Sequence, residues 1–375
     1  MTGVFLFRLP ERKETMSFSK LSKQTDDWLL GKRNRIIKPQ SGGGSFRFYK
    51  HSSSGKKPLK QGFGLKNLTS AARKLPEVMV KIPKRHGSSN GLKGIQNNLD
   101  YISRNGDLDL EDQDGNKISG KSNINRKIEE YRLSGIPQQG KRREALNIVL
   151  SMPPGSDPVA LKDAVRAFAK EEFEHHRWVM VQHLDTSHPH CHLNVLIEDD
   201  YGRRLNPRKQ DLFEWRLRFA EKLREQGVEC TATRRQHRGK YQKTESGVVR
   251  HIQDRGGKSW VLAQQAHQFA QAIATQNRPS SPFLKKQLET QKIIVEEYGK
   301  LAHELYRLGY KQEAKLIAVL RKEVENGDMR SEMQMKYDKA MENSKHLSGS
   351  LTILHGADNR QPETPNNDKN SDIER

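Results

Sequence analysis

Ten consecutive residues, 183–192 (His-Leu-Asp-Thr-Ser-His-Pro-His-Cys-His), hold the side chains of this sequence that are best suited to chemistry. They contain four of its fourteen histidines and one carboxylate, Asp185. In a strand, alternate side chains project from the same face, so His190 and His192 lie together while Cys191 points to the opposite face. Clustered neutral imidazoles are ligands for divalent metal ions. The spacing therefore predicts a metal site rather than a surface accident.

The flanking sequence explains how a third histidine would join this pair. Residues 178–184 and 190–197 are apolar, strand-forming runs, and the residues between them are typical of a turn. Such a short connection forces an antiparallel hairpin, which places His183 beside His190 and His192. We predict that these three histidines bind manganese or zinc, or magnesium when a phosphate supplies oxygen ligands. Asp185 is then expected to orient a ligand or to accept a proton.

If the metal binds a phosphodiester, cleavage also needs a nucleophile. With cysteine and serine excluded, tyrosine is the residue type that could supply it. Cys191 points away from the predicted site, and the sequence has no serine nucleophile motif. A phenol near a metal ion can ionise below its ordinary pKa of about 10. The residue types alone do not decide which tyrosine is the nucleophile, and four candidates remain: Tyr49, Tyr101, Tyr131 and Tyr201.

The elements around this hairpin predict an α+β fold. Further strands are expected at 78–82 and 145–152. Helices are expected at 92–104, 123–133, 159–174 and 210–226. The expected architecture is an antiparallel sheet with helices packed on one face and the histidine site on the other, followed by a mainly helical C-terminal region.

Composition divides the chain into four segments and indicates a polyanionic partner. The net charge is +21, and residues 1–90 alone contain 20 Lys and Arg against 5 Asp and Glu. We expect a basic, largely disordered arm at 1–77, a catalytic domain at 78–255, a helical appendage at 256–345 and a disordered tail at 346–375. Translation from Met16 instead of Met1 would also fit the arm. No apolar run approaches 18 residues, and two cysteines make no disulfide framework, so no membrane insertion and a cytoplasmic location are expected.

Three motifs together resemble the conjugative and mobilisation relaxases, the HUH-type nickases of mobilisable plasmids, and within them the Mob-type and T-strand nickase group. The most specific is His-x-Asp-x-x-His-Pro-His-x-His at 183–192. Residues 99–104 (Leu-Asp-Tyr-Ile-Ser-Arg) resemble the family's first motif, and residues 148–153 (Ile-Val-Leu-Ser-Met-Pro) resemble its second. The motifs occur in the family's order. The family usually places its tyrosine near the N-terminus, whereas here that tyrosine follows a 77-residue arm.

The resemblance implies roles for particular residues. Tyr101 would attack a phosphodiester in a single-stranded origin-of-transfer sequence, leaving a 5′-phosphotyrosyl bond and a free 3′-OH that can later reseal the strand. His183, His190 and His192 would hold Mg²⁺ or Mn²⁺, and Asp185 would assist catalysis. DNA contacts are expected from Ser151, Arg104, Arg142 and Arg143. The implied partners are accessory proteins of the relaxosome, a type IV coupling protein and the secretion channel through which DNA and protein leave the cell.

Two other functions remain open from the sequence. A nucleotide hydrolase of the histidine-triad class also alternates histidines, although the proline within the run and the +21 charge argue against it. A non-catalytic DNA-binding component of the relaxosome would retain the basic charge without the chemistry. The nick sequence, the physiological metal, the oligomeric state and the role of His188 are not determined by the sequence.

Overall fold

The computed structural model describes residues 16–37, 58–83, 90–242 and 247–356. Two compact units divide the chain: residues 1–239 with 290–327, and residues 240–289 with 328–375. The helices, in chain order, are α1 (Phe18–Leu29), α2 (Phe63–Ala72), α3 (Gly91–Ile102), α4 (Gly120–Leu133), α5 (Pro158–Glu172), α6 (Lys209–Glu225), α7 (Gly247–Asp254), α8 (Trp260–Ala274), α9 (Leu284–Arg307), α10 (Lys311–Glu325) and α11 (Glu332–Gly356). No helix among the described residues is both long enough and apolar enough to cross a bilayer.

The first unit contains a six-stranded sheet in which every neighbouring pair is antiparallel. Its strands are β1 (Met79–Lys81), β2 (Leu110–Asp112), β3 (Lys117–Ile118), β4 (Ala145–Ser151), β5 (Trp178–His183) and β6 (His190–Leu196), and their spatial order is β1-β4-β6-β5-β2-β3. The predicted β5–β6 hairpin lies at the centre. The α+β class, the antiparallel sheet and the helical C-terminal region are confirmed.

Helices cover both faces of this sheet, which differs from the expected one-sided packing. On one face, Leu150 of β4 and Leu193 of β6 share an apolar cluster with residues of α5 and α6. On the other face, α3 and α4 pack against Val179 and Val181 of β5. The cause is visible in residues 178–181 (Trp-Val-Met-Val), where consecutive apolar side chains require cover on both sides. The face that carries the histidines is therefore also the face that carries α3.

Parts of the segment expected to be a disordered arm are helical. α1 and α2 lie within it, and their residues Leu21, Trp28 and Leu68 are buried in the main apolar cluster. Their apolar residues recur at helical spacing within a segment that is basic on average, so average composition hid an amphipathic pattern. The aromatic and basic run at 46–51 lies outside the described residues.

Residues after the sheet also contribute to this core. Tyr298, Leu301 and Leu305 of α9, with Ile317 and Leu320 of α10, are fully buried in the same cluster as the β4 and β6 residues. The segment from 290 to 327 is thus part of the first unit rather than of an appendage.

The second unit is helical in its described part. It includes α7, α8 and α11, and Arg278 forms a bidentate ion pair with Asp338 of α11 at 2.7 and 2.9 Å. α11 extends to Gly356, beyond the expected start of the tail at 346.

Candidate active site

The β5–β6 hairpin brings three histidine rings together on one face of the sheet. His183 pairs directly with His190 across the hairpin, and His192 lies two residues further along β6. The ring centroids are 4.7 to 5.2 Å apart. One ligating nitrogen from each ring lies within 4.8 Å of the others. Cys191 projects into the opposite apolar layer and is fully buried, as the alternation predicts.

Each of the three rings is oriented by a hydrogen bond from one of its nitrogens. His183 donates from Nε2 to the backbone carbonyl of Ile102 at 2.7 Å. His190 donates from Nδ1 to the carbonyl of His188 at 3.0 Å, and His192 donates from Nδ1 to the Asn147 side-chain oxygen at 3.2 Å. An oxygen acceptor on one nitrogen fixes the tautomer and leaves the lone pair of the other nitrogen available.

Burial keeps two of these rings neutral. It lowers the pKa of His192 to about 3, with a smaller contribution from the neighbouring His183. Burial also lowers the pKa of His183. Only the neutral imidazole can bind a metal ion. Three convergent imidazoles with anchored outer nitrogens therefore fit a divalent metal with open coordination positions.

Tyr101 lies beside this cluster at the C-terminal end of α3. Its side chain is 64% exposed, and its ring meets His192 edge-on with centroids 6.3 Å apart. The helix places it there because Leu99 and Ile102, on either side of it, are fully buried against the sheet. The phenol is thus open to solvent and next to the histidines.

The other candidate tyrosines lie in different surroundings. Tyr131, a residue of α4, is 1% exposed, and its burial raises the pKa of its phenol. Tyr201 lies in the loop after β6 and is exposed, and its ring packs against His175. This end of the sheet is opposite to the end that carries His183, His190 and His192. Tyr49 lies outside the described residues. Among the tyrosines that the structure describes, Tyr101 is the one whose ring contacts a member of the histidine cluster, His192.

Arg104 and Asp185 form an ion pair that joins the end of α3 to the β5–β6 loop. Both side chains are about half exposed. The backbone of Arg104 is left-handed, with φ of 55°, and Asn105 follows with φ of 58°. Two consecutive left-handed residues turn the chain sharply back at the end of the helix, at a cost that arginine rarely bears. Asp185 is thus paired with an arginine rather than with a histidine ring.

The remaining predicted DNA ligands lie at opposite ends of β4. Ser151 pairs with His190 in the sheet, on the same face as the histidines. Arg142 and Arg143 precede β4 and are exposed at its far end, about 20 Å away along the strand at 3.3 Å per residue. A contact between these two arginines and DNA stays a prediction, and it would lie well away from Tyr101.

Several polar groups near the histidines were not predicted. Asn147 of β4 orients His192, and Asn194 of β6 donates to Asn98 of α3. The positive charge of Lys81, on strand β1 beyond β4, contributes to the low pKa of His192. Asn147 and Asn194 each interrupt an otherwise apolar strand, and that interruption is the signal that could have found them.

Comparison with known proteins identifies the domain that carries this site. Residues 101–228 match the family model described as relaxase, MobA/VirD2-like, nuclease domain. The matched segment begins at Tyr101 and includes all three histidines. Comparisons with the curated proteins and with the solved structures find no match. The match supports the assignment of residues 101–228, which carry the three histidines, as a relaxase nuclease domain.

Proposed function

We propose that the protein nicks one strand of DNA at an origin of transfer through Tyr101, and that it later reseals the strand. The observation that carries this proposal is the exposed Tyr101 ring in contact with the buried three-histidine cluster. The +21 charge supports a nucleic acid as substrate. Initiation of conjugative transfer is the role that such a reversible nick would serve.

The reaction exchanges one phosphoester for another. The Tyr101 oxygen bonds to the phosphorus and loses its proton, while the bond from phosphorus to the 3′ oxygen breaks and that oxygen gains a proton. The products are a 5′-phosphotyrosyl strand and a free 3′-OH. Because the number of phosphodiester bonds is unchanged, attack by the 3′-OH can reverse the step.

His183, His190 and His192 are the residues that would hold a divalent ion, Mg²⁺ or Mn²⁺. Such an ion would polarise the non-bridging oxygens of the phosphate as charge develops on them. The chain's own contribution is to orient the three rings and, by burial, to keep His183 and His192 neutral.

Charged and polar groups at the rim would position the DNA. Arg104 can bind a phosphate through its guanidinium, and Asp185 holds it beside the end of α3. Ser151 adds a hydroxyl on the histidine face, and Lys81 adds a cation on β1. Asp185 thus serves the reaction by fixing an arginine rather than a metal ligand.

The proposal is tested with labelled single-stranded oligonucleotides tiled across the transfer origin of the replicon that encodes the chain. With Mn²⁺ present, the protein should form a protease-sensitive covalent adduct and release a fragment that ends in a 3′-OH. Tyr101→Phe should abolish the adduct while leaving DNA binding within about twofold, because only the attacking oxygen is lost. Tyr201→Phe is the matched control, since its ring is equally exposed but lies at the far end of the sheet.

The contrary outcomes are distinct. An adduct that persists in Tyr101→Phe would move the nucleophile to another tyrosine. Turnover of free nucleotides would favour the histidine-triad hydrolase, and salt-sensitive binding without cleavage would favour a scaffold. Handover to a coupling protein and a type IV secretion channel, with accessory relaxosome proteins, belongs to the same proposal and draws on the family relationship.

A further inference from the structure

Two buried asparagines connect the helix that carries Tyr101 to the strand that carries His190 and His192. Asn194 of β6 donates from Nδ2 to Oδ1 of Asn98 on α3. The two residues are 1% and 6% exposed. The Asn194 oxygen is buried and has no hydrogen-bond partner within the described part of the chain.

This amide pair lies where apolar side chains would be more stable. The surrounding cluster includes Leu99 and Ile95 of α3 and Val179 of β5, which pairs with Asn194 in the sheet. Burying amides costs free energy, and an unpaired buried oxygen adds to that cost. Buried asparagines can instead fix how two packed elements are aligned, because a hydrogen bond is directional and apolar packing is not. The pair is therefore better explained by placement of α3 than by stability.

The position of the pair shows what it would place. Asn98 precedes Tyr101 by one helical turn, and Asn194 is the next residue after His192 on the same face of β6. On the other side of Tyr101, the carbonyl of Ile102 accepts the hydrogen bond from His183. Two hydrogen bonds to the sheet thus flank the tyrosine, one at Asn98 and one at Ile102. Without them, apolar contacts alone would let α3 slide along the sheet or rotate about its axis.

We propose that Asn194 and Asn98 are positioning residues that set the axial position and rotation of α3, and thereby the placement of Tyr101 over the three histidines. The inference rests on the proposed role of Tyr101 as nucleophile. Both asparagines are buried, so they would act through the placement of α3 and not by contact with the DNA.

The first experiment compares Asn194→Leu, Asn98→Leu and the double variant in the full chain. Leucine keeps the branching of asparagine but removes the amide. Each single variant should lower the single-turnover nicking rate about 10- to 100-fold, because small displacements of a reacting group carry losses of that order. DNA affinity should stay within about twofold, and the double variant should be no slower than the slower single variant. The double variant leaves no unpaired amide, so it also tests the proposal if a single variant unfolds.

Ile95→Val is the matched control on the same face of α3. It removes one buried methylene next to the pair without touching a hydrogen bond. Its stability towards urea should fall while its nicking rate stays within about twofold of the parent. If the nicking rates of the asparagine variants fall only in proportion to the fraction of unfolded protein, the inference is overturned.

A second readout does not depend on cleavage. With 3-fluorotyrosine at position 101, added Mn²⁺ should broaden the fluorine signal of the parent protein, and Asn194→Leu should weaken or spread that broadening. Equal broadening in both proteins would overturn the inference. A parent protein that binds DNA but forms no adduct would instead overturn the proposed function, and the fluorine signal would still report where the ring lies.

Discussion

Four buried or half-buried histidines share a lowered pKa, and burial is its largest cause in each. The pKa values of His192 and His237 are both lowered to about 3. Those of His183 and His176 are lowered as well. His237 lies outside the proposed site and contacts the hydroxyl of Tyr298 within the core. The same desolvation that prepares a metal ligand therefore also operates at a purely structural position.

These shifts predict a metal-free protein that loses stability in mild acid. An unfolded histidine takes up a proton below about pH 6.5, whereas the folded His192 and His237 resist protonation until about pH 3. Stability is therefore complete above about pH 6.5 and falls as the pH decreases towards 3, by up to about 1.4 kcal/mol per pH unit for each histidine. Urea unfolding between pH 7.5 and 5 measures this slope.

Single substitutions assign the slope to its residues. His237→Gln and His192→Gln should each flatten the dependence of the free energy of unfolding on pH. His267→Gln, at an exposed position on α8, serves as the control. If His237→Gln retains the full slope, the acid sensitivity arises from other groups.

At the scale of elements, the placement of α3 begins with its first residue. Gly91 has φ of +66°, and a Cβ there would lie 2.6 Å from the carbonyl oxygen of Pro137. Its helix therefore starts in close contact with the loop that follows α4. A side chain at this position would have to move either α3 or that loop.

The matched comparison is Gly120, the first residue of α4. Its φ is +74°, but nothing lies within 4 Å of a Cβ built there. Gly120→Ala should cost about 1–2 kcal/mol for the left-handed backbone. Gly91→Ala should cost that amount and about 1–3 kcal/mol more for the clash. Urea midpoints measure both, and equal losses would show that the loop yields without cost.

The sequence predicts the elements around the site better than their docking. The strands at 145–151, 178–183 and 190–196 follow from continuous β-branched and apolar runs, and the helix with Tyr101 follows from its stripe of leucines and isoleucines. The sequence does not predict the β2–β3 hairpin, because its strands are only three and two residues long and Glu111 and Asp112 are residues typical of a turn. Periodicity tells which side of an element is apolar, but not which partner covers it.

The same limit applies to the site itself. Strand alternation and a short turn were sufficient to group the three histidines. Tyr101 and the histidine hairpin are separated by some eighty residues, and no local pattern brings them together. Only the resemblance to relaxases made that connection before the structure showed the contact between Tyr101 and His192.

At the scale of the whole molecule, the nuclease core is built from distant parts of the chain. Glu297 of α9 is fully buried and accepts hydrogen bonds from the backbone amides of Ile36 and Ile37, at 2.6 and 3.4 Å. Its second oxygen contacts Arg35 at 3.2 Å. The residues after α1 are therefore fixed by a helix that lies more than 250 residues later in the sequence.

Truncation tests this arrangement. A chain that ends at Gly239 loses six fully buried apolar side chains from α9 and α10: Tyr298, Leu301, Leu305, Ile317, Leu320 and Val324. Burial of each is worth about 1.5–3 kcal/mol, so the sum rivals a typical total stability of about 5–15 kcal/mol. We expect it to be unfolded or aggregated. A chain that ends at Gly327 keeps the first unit complete and should unfold cooperatively. Circular dichroism during urea titration distinguishes the two, and a well-folded 1–239 chain would contradict the prediction.

The imidazole of His183 lies between Tyr101 and the candidate metal site, and this position couples the two. Its Nε2 donates to the carbonyl oxygen of Ile102, the residue after Tyr101, and the ring belongs to the cluster that fits a metal. Two binding events that share one ring are thermodynamically linked, and the linkage is reciprocal. If Tyr101 is the nucleophile, as proposed, and metal binding raises the affinity for DNA at Tyr101 by some factor, bound DNA must raise the affinity for the metal by the same factor. Under the proposed mechanism, the protein would then hold its metal most firmly while it is attached to the cut strand, when the ion is still needed for resealing.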